Sequence, residues 1–304
     1  MKRFFRNIAI FGIALWGLLL IEDVITTYAF NKITTRKFGV WNDILHSDMD
    51  ANMIILGNSR AWCQYSPQIL DSVLGTSTYN IGIDGSCFNR QLARYEIYRH
   101  YQHSAPKYII QNVEFFTLGY TIGYEREQFM PYLIYPYFRE RISAIEPFNF
   151  GELYLPMYRY YVSNVYDEYT KFDFPITRGY LGEENSWDGS KIKEVEPYCA
   201  EIDSNSLELF INYIESTQRE GIQLIFVLAP IYKEATSKVL NIAEIHGLYY
   251  DLSEKYNIPI LDYANCWLSQ DTTYFYNATH LNKQGAELFS TQLAHDIDSL
   301  RIIK

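Results

Sequence analysis

The sequence predicts an α/β fold with a five-stranded parallel sheet. From residue 50 onward, short apolar runs alternate with helical patterns, which is typical of a parallel sheet covered by helices. Several of these helical patterns end at a glycine or shortly before a proline, as helices commonly do. Small and polar residues follow the apolar runs, at the edge where open α/β sheets bind their ligands.

The N-terminal segment, residues 1–32, is predicted to be a signal anchor. Three basic residues precede the uncharged apolar run Ile8–Ile21, and the chain is largely apolar again from Val24 to Phe30. A helix from Ile8 to Phe30 would be roughly 34 Å long, enough to span a bilayer. The basic flank would keep the N-terminus in the cytoplasm, so the rest of the chain is expected in the periplasm or at the cell surface.

Two other interpretations of this segment stay open. A cleaved signal peptide fits the basic flank, but only Thr27 and Ala29 offer small residues for cleavage. A buried N-terminal helix would leave the basic flank without a role. We therefore favour an uncleaved anchor.

The sheet domain is predicted to comprise residues 45–114 and 201–304. Its first half is predicted to hold strand Met53–Leu56, helix Ala61–Leu74 closed by Gly75, strand Ser77–Ile81, helix Asn89–His103 and strand Lys107–Val113. Its second half is predicted to hold helix Ser204–Arg219 with Gly221 as its stop, strand Ile222–Leu228, helix Glu234–Tyr256, strand Ile258–Asp262 and the final helix Lys283–Leu300. All five strands are expected to be parallel neighbours in one sheet.

Residues 115–200 are predicted to be an insertion after the third strand. They show no strand–helix period and hold 13 of the 28 tyrosines of the chain. The insertion is expected to be a lid whose tyrosines stack on sugar rings, or a helical subdomain packed on the sheet. The tyrosines considered for stacking are Tyr132, Tyr135, Tyr137, Tyr154, Tyr158, Tyr160 and Tyr161.

The composition excludes several functional classes. The formal net charge is −10, so nucleic acid is not an expected partner, since it would need a basic face. No glycine-rich phosphate loop is present, and no cofactor is expected. The four cysteines have no ligand-like spacing to the six histidines, so no metal site is expected. Free thiols are favoured, and Cys63 with Cys87 is the one pair to test for a disulfide.

Two short motifs carry the candidate catalytic residues. Ser59 lies in Gly57–Arg60, directly after the first strand, and His280 lies just before the last helix. A serine becomes a nucleophile when a base takes its proton, and histidine is the usual base near neutral pH. By itself Ser59 fits a helix N-cap better. The distant histidine makes the nucleophile the preferred interpretation.

Two glycines and an asparagine are candidates for binding a substrate oxyanion. Gly82 and Gly85 follow the second strand, where a backbone N–H can approach an oxygen without a Cβ in the way. Gly85 is preferred because it lies nearer the next helix; an ordinary turn is the alternative. Asn112 ends the third strand and could donate its side-chain N–H, or be only a polar strand end. Glu114, two residues further along, is an alternative occupant of the position at the end of this strand.

Together these residues resemble the SGNH, or GDSL-like, hydrolase superfamily, named for its Ser, Gly, Asn and His blocks. Gly57–Arg60 resembles the nucleophile block, residues 82–85 the glycine block, and Asn277–His280 the terminal Asp-x-x-His block. With the anchor included, the chain looks most like membrane-anchored members such as the DltD-type and alginate-acetylation proteins. The resemblance covers residues 50–115 and 220–304. It implies a three-layer, flavodoxin-like fold and action on acyl esters of cell-envelope polymers outside the cytoplasmic membrane.

The chain departs from the family pattern in three places. Asn58 replaces the aspartate of the nucleophile block, and the usual Gly-x-Asn-Asp of the third block is absent, which leaves Asn112 assigned by position alone. Asn277 stands where the family carries the acid that orients the histidine. An amide oxygen can accept the ring N–H and hold the tautomer, but it cannot stabilise an imidazolium by charge. A Ser–His dyad, steered by a backbone carbonyl or by Asp271, is the alternative.

The sequence therefore predicts a membrane-anchored serine esterase or O-acyltransferase with Ser59, His280 and Asn277 as its catalytic group. Its expected substrate is an acylated polysaccharide or cell-wall glycan, and a membrane-bound acyltransferase is a candidate partner. Asn277 keeps a second hypothesis open: an inactive binding or assembly partner of a polysaccharide-modifying system. A lipid-directed esterase is a third, and it would need a long apolar channel.

Overall fold

The computed structural model of the chain describes residues 1–47, 49–120, 123–163, 165–166, 176–190 and 192–303. Part of the predicted insertion, residues 167–175, lies outside these described residues. The α-helices and strands are, in chain order, α1 Lys2–Phe30, α2 Arg36–His46, β1 Met53–Leu56, α3 Ser59–Gln64, α4 Pro67–Leu74, β2 Thr78–Asn80, α5 Phe88–Tyr101, β3 Tyr108–Asn112, α6 Pro136–Ser143, α7 Phe150–Tyr154, α8 Tyr158–Tyr161, α9 Ser204–Arg219, β4 Gln223–Leu228, α10 Lys233–Thr236, α11 Ile242–Tyr256, β5 Ile260–Asp262, β6 Phe275–Asn277, β7 His280–Leu281 and α12 Lys283–Ser299. Short 3₁₀ helices lie at Arg126–Tyr132, Ile192–Glu194, Trp267–Gln270 and Thr272–Tyr274.

Five of the strands form one parallel sheet in the order β2-β1-β3-β4-β5. Ile54 in β1, for example, is in register with Tyr79 on one side and with Ile109 on the other. This is the doubly wound order of flavodoxin-like folds, in which β1 and β3 lie side by side at the switch point. The predicted α/β fold with a five-stranded parallel sheet is confirmed.

Helices cover both faces of this sheet. Successive strand residues point to opposite faces, so Ile54 and Ile109 belong to one core and Ile55 and Ile110 to the other. Helices α2, α5, α9 and α11 complete the first core, and α4 and α12 complete the second. Because both faces are buried, the strands are continuous apolar runs and lack a polar alternation.

Two predicted helices are each divided in the structure. The helix predicted over Ala61–Leu74 is divided into α3 and α4, because Pro67 begins α4 and the residue before a proline is disfavoured in a helix. The helix predicted over Glu234–Tyr256 is divided into α10 and α11. Between them, Tyr198 of the insertion forms backbone hydrogen bonds with Lys238 and Leu240, which draws this stretch out of the helical path.

Two elements had no counterpart in the sequence prediction. Helix α2 begins in residues 33–44, which were assigned to no domain, and ends at His46, yet its Phe38, Val40 and Trp41 are buried in the main core. The antiparallel pair β6–β7 lies in what was expected to be a simple loop before the last helix. Both elements contribute residues to the site described below.

Helix α1 is the one helix among the described residues that is long and apolar enough to cross a membrane or to act as a signal sequence. Its last turns contact the rest of the protein: Thr27 and Phe30 are buried, and Asp23 forms an ion pair with Arg159 at 2.6 Å. The predicted membrane span includes these turns up to Phe30. One side of the helix is instead occupied by protein from Asp23 onward.

Two Gly→Ala substitutions are expected to change the stability in opposite directions. Gly75 ends α4 with φ +61°, so Gly75→Ala should lower the free energy of unfolding by about 1 kcal/mol. Gly247 lies inside α11 with nothing within 4 Å of an added Cβ, so Gly247→Ala should raise it by about 0.5–1 kcal/mol. Denaturant titration of the detergent-solubilised chain measures both. Changes of the same sign in the free energy of unfolding of the two variants would contradict the backbone conformations assigned to Gly75 and Gly247.

Candidate active site

Ser59 begins α3 directly after β1. The N-cap of this helix is Asn58, whose side-chain oxygen accepts the N–H of Arg60 at 3.0 Å, so Ser59 is not the cap. As the first helical residue, Ser59 has a backbone N–H without an acceptor inside the helix. Its Oγ lies 2.8 Å from Nε2 of His280. The serine hydroxyl is therefore hydrogen-bonded to the imidazole across 221 residues of sequence.

His280 and Asn277 lie on the β6–β7 hairpin. The Asn277 Oδ1 accepts the backbone N–H groups of Thr279 and His280, each at 3.0 Å, which closes the turn. The same oxygen lies 2.9 Å from Nδ1 of His280. The Thr279 hydroxyl lies 3.0 Å from that ring nitrogen and is a second neighbour.

The two backbone N–H groups decide which way the Asn277 amide faces, because a backbone N–H can only donate. Its oxygen therefore faces the ring, and Nδ1 of His280 carries the proton. Nε2 is then left with its lone pair toward the Ser59 hydroxyl. A neutral asparagine thus holds the tautomer that a general base needs.

The electrostatic surroundings of His280 favour its neutral form. Burial, together with the positive charge of Arg60, lowers the pKa of His280 to about 3. Arg60 is 2% exposed and forms an ion pair with Glu114, which is 3% exposed. Glu114, considered as a rival occupant of the oxyanion corner, is therefore the partner of a buried guanidinium. At neutral pH the ring is an unprotonated, weak base.

Ser59 and His280 line a cavity of about 260 Å³. One part of its wall is apolar and another is charged, with carboxylates and cations side by side. The apolar part is formed by Trp62, Cys63, Leu181 and Tyr276, and the charged part by Arg36, Lys37, Asp84, Glu125 and Glu183. The Tyr276 ring stacks on the His280 ring at 5.3 Å between centroids, which restricts the imidazole. The Nε1–H of Trp62 is buried and has no hydrogen-bond partner among the described residues.

The seven insertion tyrosines considered for sugar stacking are not among the residues lining this cavity. Tyr132 and Tyr160 are fully buried and belong to the main core. The insertion contributes Glu125, Leu181 and Glu183 to the cavity instead. Polar and aliphatic side chains of the insertion, and not its tyrosines, therefore face Ser59.

Asn112 ends β3 beside the turn that leads to Ser59. Its Oδ1 accepts the Tyr65 hydroxyl at 2.6 Å, whereas its Nδ2 is buried without a hydrogen-bond partner among the described residues. A Cβ on Gly57 would lie 2.8 Å from the Asn112 Cβ, so residue 57 must be a glycine for the two loops to approach. Asn112 itself is not among the residues that line the cavity. A buried donor without a partner needs an explanation, and an oxyanion role for Asn112 stays a prediction.

The two candidate glycines differ in what surrounds them. The N–H of Gly82 donates to Oδ1 of Asn80 at 2.9 Å, so the expected oxyanion role of Gly82 is not supported. Gly82 has a packing role, since a Cβ there would lie 2.6 Å from the backbone nitrogen of Trp62. Gly85 has φ +59° and lies against the ring of Tyr124. Neither glycine is among the residues that line the cavity, and an oxyanion role for Gly85 stays a prediction.

Two other sequence alternatives are resolved by contacts. Asp271 caps a 3₁₀ helix by accepting the N–H of Thr273 at 2.9 Å, so it is not the group that orients His280. The four cysteines, including Cys63 and Cys87, the pair considered for a disulfide, are free thiols. Burial raises the pKa of the Cys63 thiol, which disfavours the thiolate at neutral pH. Among the described residues, no group of three or more His, Cys, Asp or Glu side chains is arranged to hold a metal ion.

Several site residues were not found from the sequence. Arg60 and Tyr276 adjoin the quoted motifs, but nothing in their spacing indicates that one is buried beside Glu114 and the other stacks on His280. Arg36 and Lys37 follow the anchor by a few residues, where no site residue was expected. The adjacent aromatic residues Phe275 and Tyr276, which favour strands, are a local signal for the hairpin.

Comparisons with known proteins give similarity at the level of structure. No family model matches the chain, and no curated protein matches it. A solved structure assigned to the G-D-S-L lipolytic family, from Desulfitobacterium hafniense DCB-2, is similar with a TM-score of 0.42 and 11% identity, covering 80% of this chain and 97% of its own. A protein described as a platelet activating factor, from Streptococcus pneumonia, has a TM-score of 0.45 and 13% identity, covering 95% and 99%.

A third similar structure, described as an acylhydrolase from Bacteroides fragilis NCTC 9343, has a TM-score of 0.38 and 12% identity, covering 80% of this chain and 86% of its own. At such low identities and TM-scores, we infer function only from the geometry of this chain.

Titration should show that the His280 ring stays neutral down to a pH far below the usual pKa of histidine. Because burial and Arg60 lower its pKa to about 3, the ring should stay unprotonated between pH 7 and about pH 4.5. Asn277→Asp puts a carboxylate against Nδ1, stabilises the imidazolium and should raise the pKa clearly. Asn277→Ala, which adds no charge, is the control and should leave the pKa low. NMR of ring-labelled histidine measures all three; titration of the wild-type ring near pH 6.5 would contradict the electrostatic account.

Proposed function

We propose that the chain is a serine esterase or O-acyltransferase of the SGNH type. The observation that supports this most directly is the chain of hydrogen bonds from Ser59 through His280 to Asn277. Ser59 and His280 also line a cavity that could admit a substrate. A serine hydroxyl 2.8 Å from an unprotonated imidazole nitrogen, with the other nitrogen held by a third group, is the arrangement of an activated nucleophile.

In the proposed mechanism, Nε2 of His280 takes the proton of Ser59, and Oγ attacks the ester carbonyl carbon. The oxyanion is held by Nδ2–H of Asn112 and by the N–H groups of Ser59 and Gly85. The intermediate expels the alcohol, which takes the proton back from His280 and leaves an acyl-serine. Water or a sugar hydroxyl, deprotonated by His280, then attacks the acyl group and regenerates Ser59.

The cavity favours a short acyl group on a polar carrier. A volume of about 260 Å³ with five charged side chains in its wall is too small and too polar for a long lipid chain, which disfavours the lipid-directed esterase. The apolar wall around Trp62 and Leu181 suits a short acyl group, and the charged wall offers hydrogen bonds to hydroxyls. We propose acylated polysaccharide or cell-wall glycan as the substrate class.

Helix α1 supports a membrane-anchored location for this activity. We propose that the helix is retained, with the catalytic domain on the outer side of the cytoplasmic membrane, as the basic residues before it favour. A membrane-bound acyltransferase that supplies acyl groups is the proposed partner, and nucleic acid is not expected as one.

A second candidate function is a non-catalytic binding or assembly partner of a polysaccharide-modifying system. The observation that favours it is Asn277 together with Arg60: the former supplies no negative charge to an imidazolium, and the latter opposes its formation. Both features weaken the base. The chemistry of Ser59 therefore decides between the two functions.

Reaction of Ser59 is the first test. The full chain in detergent should hydrolyse p-nitrophenyl acetate and be labelled by a fluorophosphonate, and Ser59→Ala and His280→Ala should each lower kcat/KM at least about 10³-fold. Ser72→Ala, at an exposed position on α4, is the matched control and should keep full activity. A folded wild type that is neither active nor labelled would overturn the proposed enzymatic function and favour the non-catalytic binding partner.

The role of Asn112 is tested by removing its free donor. Asn112→Ala should lower kcat by about 10²- to 10³-fold with a smaller change in KM, because the amide would bind the oxyanion and not the ground state. Tyr65→Phe removes the hydroxyl that orients this amide and should lower kcat less, with the donor still in place. Steady-state kinetics, with thermal unfolding to check the fold, measures both. A folded Asn112→Ala with unchanged kcat would remove Asn112 from the mechanism.

A further inference from the structure

An exposed aromatic surface lies on the insertion where it meets helix α1. We call this surface, formed by Phe150, Tyr154, Tyr158, Tyr161 and Val162, the interfacial patch; four of its five residues are exposed by half or more. The rings of Phe150 and Tyr154 are 5.1 Å apart, and Gly151 lies directly against the Tyr158 ring. Helices α7 and α8 therefore present one continuous aromatic surface to the outside.

The interfacial patch is fixed to α1 by polar contacts at one level of that helix. The Tyr161 hydroxyl donates to Glu22 at 3.0 Å. Arg159 pairs with Asp23 at 2.6 Å, and the same carboxylate accepts the N–H of Met157 at 2.7 Å. These contacts hold the two carboxylates of α1 against the insertion.

On the N-terminal side of these carboxylates, α1 is apolar and exposed. Apart from Val24, Ile25 and Tyr28, which follow the carboxylates, the exposed large hydrophobic side chains of the helix lie in the stretch from Phe4 to Ile21, and its most apolar 18-residue window has no buried residue. This stretch is roughly 27 Å long, close to the thickness of a bilayer hydrocarbon core. A bilayer that covers this stretch would place Glu22, Asp23 and the neighbouring Tyr161 at the edge of the hydrocarbon, and the exposed side chains of Val24, Ile25 and Tyr28 in the headgroup layer.

We propose that the interfacial patch rests in the headgroup layer of the bilayer that α1 enters. The inference rests on the proposed retention of α1 as an anchor. Tyrosine suits this layer because its ring is apolar and its hydroxyl is polar. Tyr161 of the patch contacts α1 at Glu22, directly beside the exposed apolar stretch, so a bilayer around that stretch is the occupant that would also cover the patch.

This placement brings the catalytic cavity close to the membrane. Arg36 and Lys37 of α2 line the cavity, and the six residues from Phe30 to Arg36 span at most roughly 21 Å. Phe30 is itself buried at the end of α1. The substrate of Ser59 is therefore a glycan or an acyl carrier held within a few tens of ångströms of the bilayer surface.

The test places a fluorophore on the patch of the full-length chain in vesicles. In a Cys199→Ser, Cys266→Ser background, Tyr154→Cys or Leu288→Cys is labelled with NBD; the remaining Cys63 and Cys87 are buried. Leu288 is a matched exposed apolar position on α12, which covers the other face of the sheet. Vesicles of phosphatidylcholine and phosphatidylglycerol are prepared with and without a lipid carrying a nitroxide on its headgroup.

We expect loss of NBD emission at position 154 in nitroxide vesicles and no loss at position 288. Vesicle-bound protein without quenching at 154 would overturn the proposal, and equal quenching at both positions would show adsorption without orientation and overturn it too. A blue shift at 154 that needs only concentrated protein, without lipid, would assign the patch to a second copy. Protein that does not float with vesicles would contradict the anchor and the patch together.

Hydrolysis of p-nitrophenyl acetate by the same labelled chains separates this proposal from the enzymatic one. Quenching at 154 in a chain that neither hydrolyses nor reacts with fluorophosphonate would leave the patch standing and remove the esterase. Hydrolytic activity without quenching at position 154 would leave the esterase standing and remove the patch.

Discussion

The position of β1 between β2 and β3 is the constraint on which the site depends. Because all three strands are parallel, the loops that follow them leave the sheet at one edge, and the turn that leads to Ser59 approaches Asn112 through Gly57. The approach is close enough to require a glycine at position 57. Backbone pairing in the sheet thus positions groups that are 53 residues apart in sequence.

The β6–β7 hairpin completes the site from the other end of the chain. Asn282 anchors its base by capping α12, where it accepts the N–H of Gly285 at 3.0 Å and donates to Thr273 at 2.7 Å. A Cβ at Gly285 would lie 2.4 Å from the Tyr274 oxygen, so the small residue lets the helix pack against the hairpin. His280 is therefore placed by a helix cap and by an amide oxygen, without a carboxylate.

That substitution of an amide for a carboxylate sets the chemical character of the site. The Asn277 oxygen lies 2.9 Å from Nδ1 of His280, where the proposed mechanism needs the third group of a triad, and the charge of Arg60 makes an imidazolium less favourable. A base of this kind stays available in mildly acid surroundings but accepts a proton weakly. For the proposed enzyme, such a base would suit an ester with a good leaving group, and the cavity wall shared by α2 and the insertion would select the substrate.

The sequence by itself determined the strand–helix alternation and the parallel sheet, and its two short motifs predicted that Ser59 and His280 act together. Those features depend on local apolar periodicity and on short motifs, which a single sequence displays directly. Only the tertiary structure decided that Gly82 donates to Asn80, that Glu114 pairs with Arg60, and that two predicted helices break. The same holds for α2 in the cavity wall and for the contact of α1 with the insertion. Each of these follows from contacts between residues far apart in the chain, for which local pattern carries no signal.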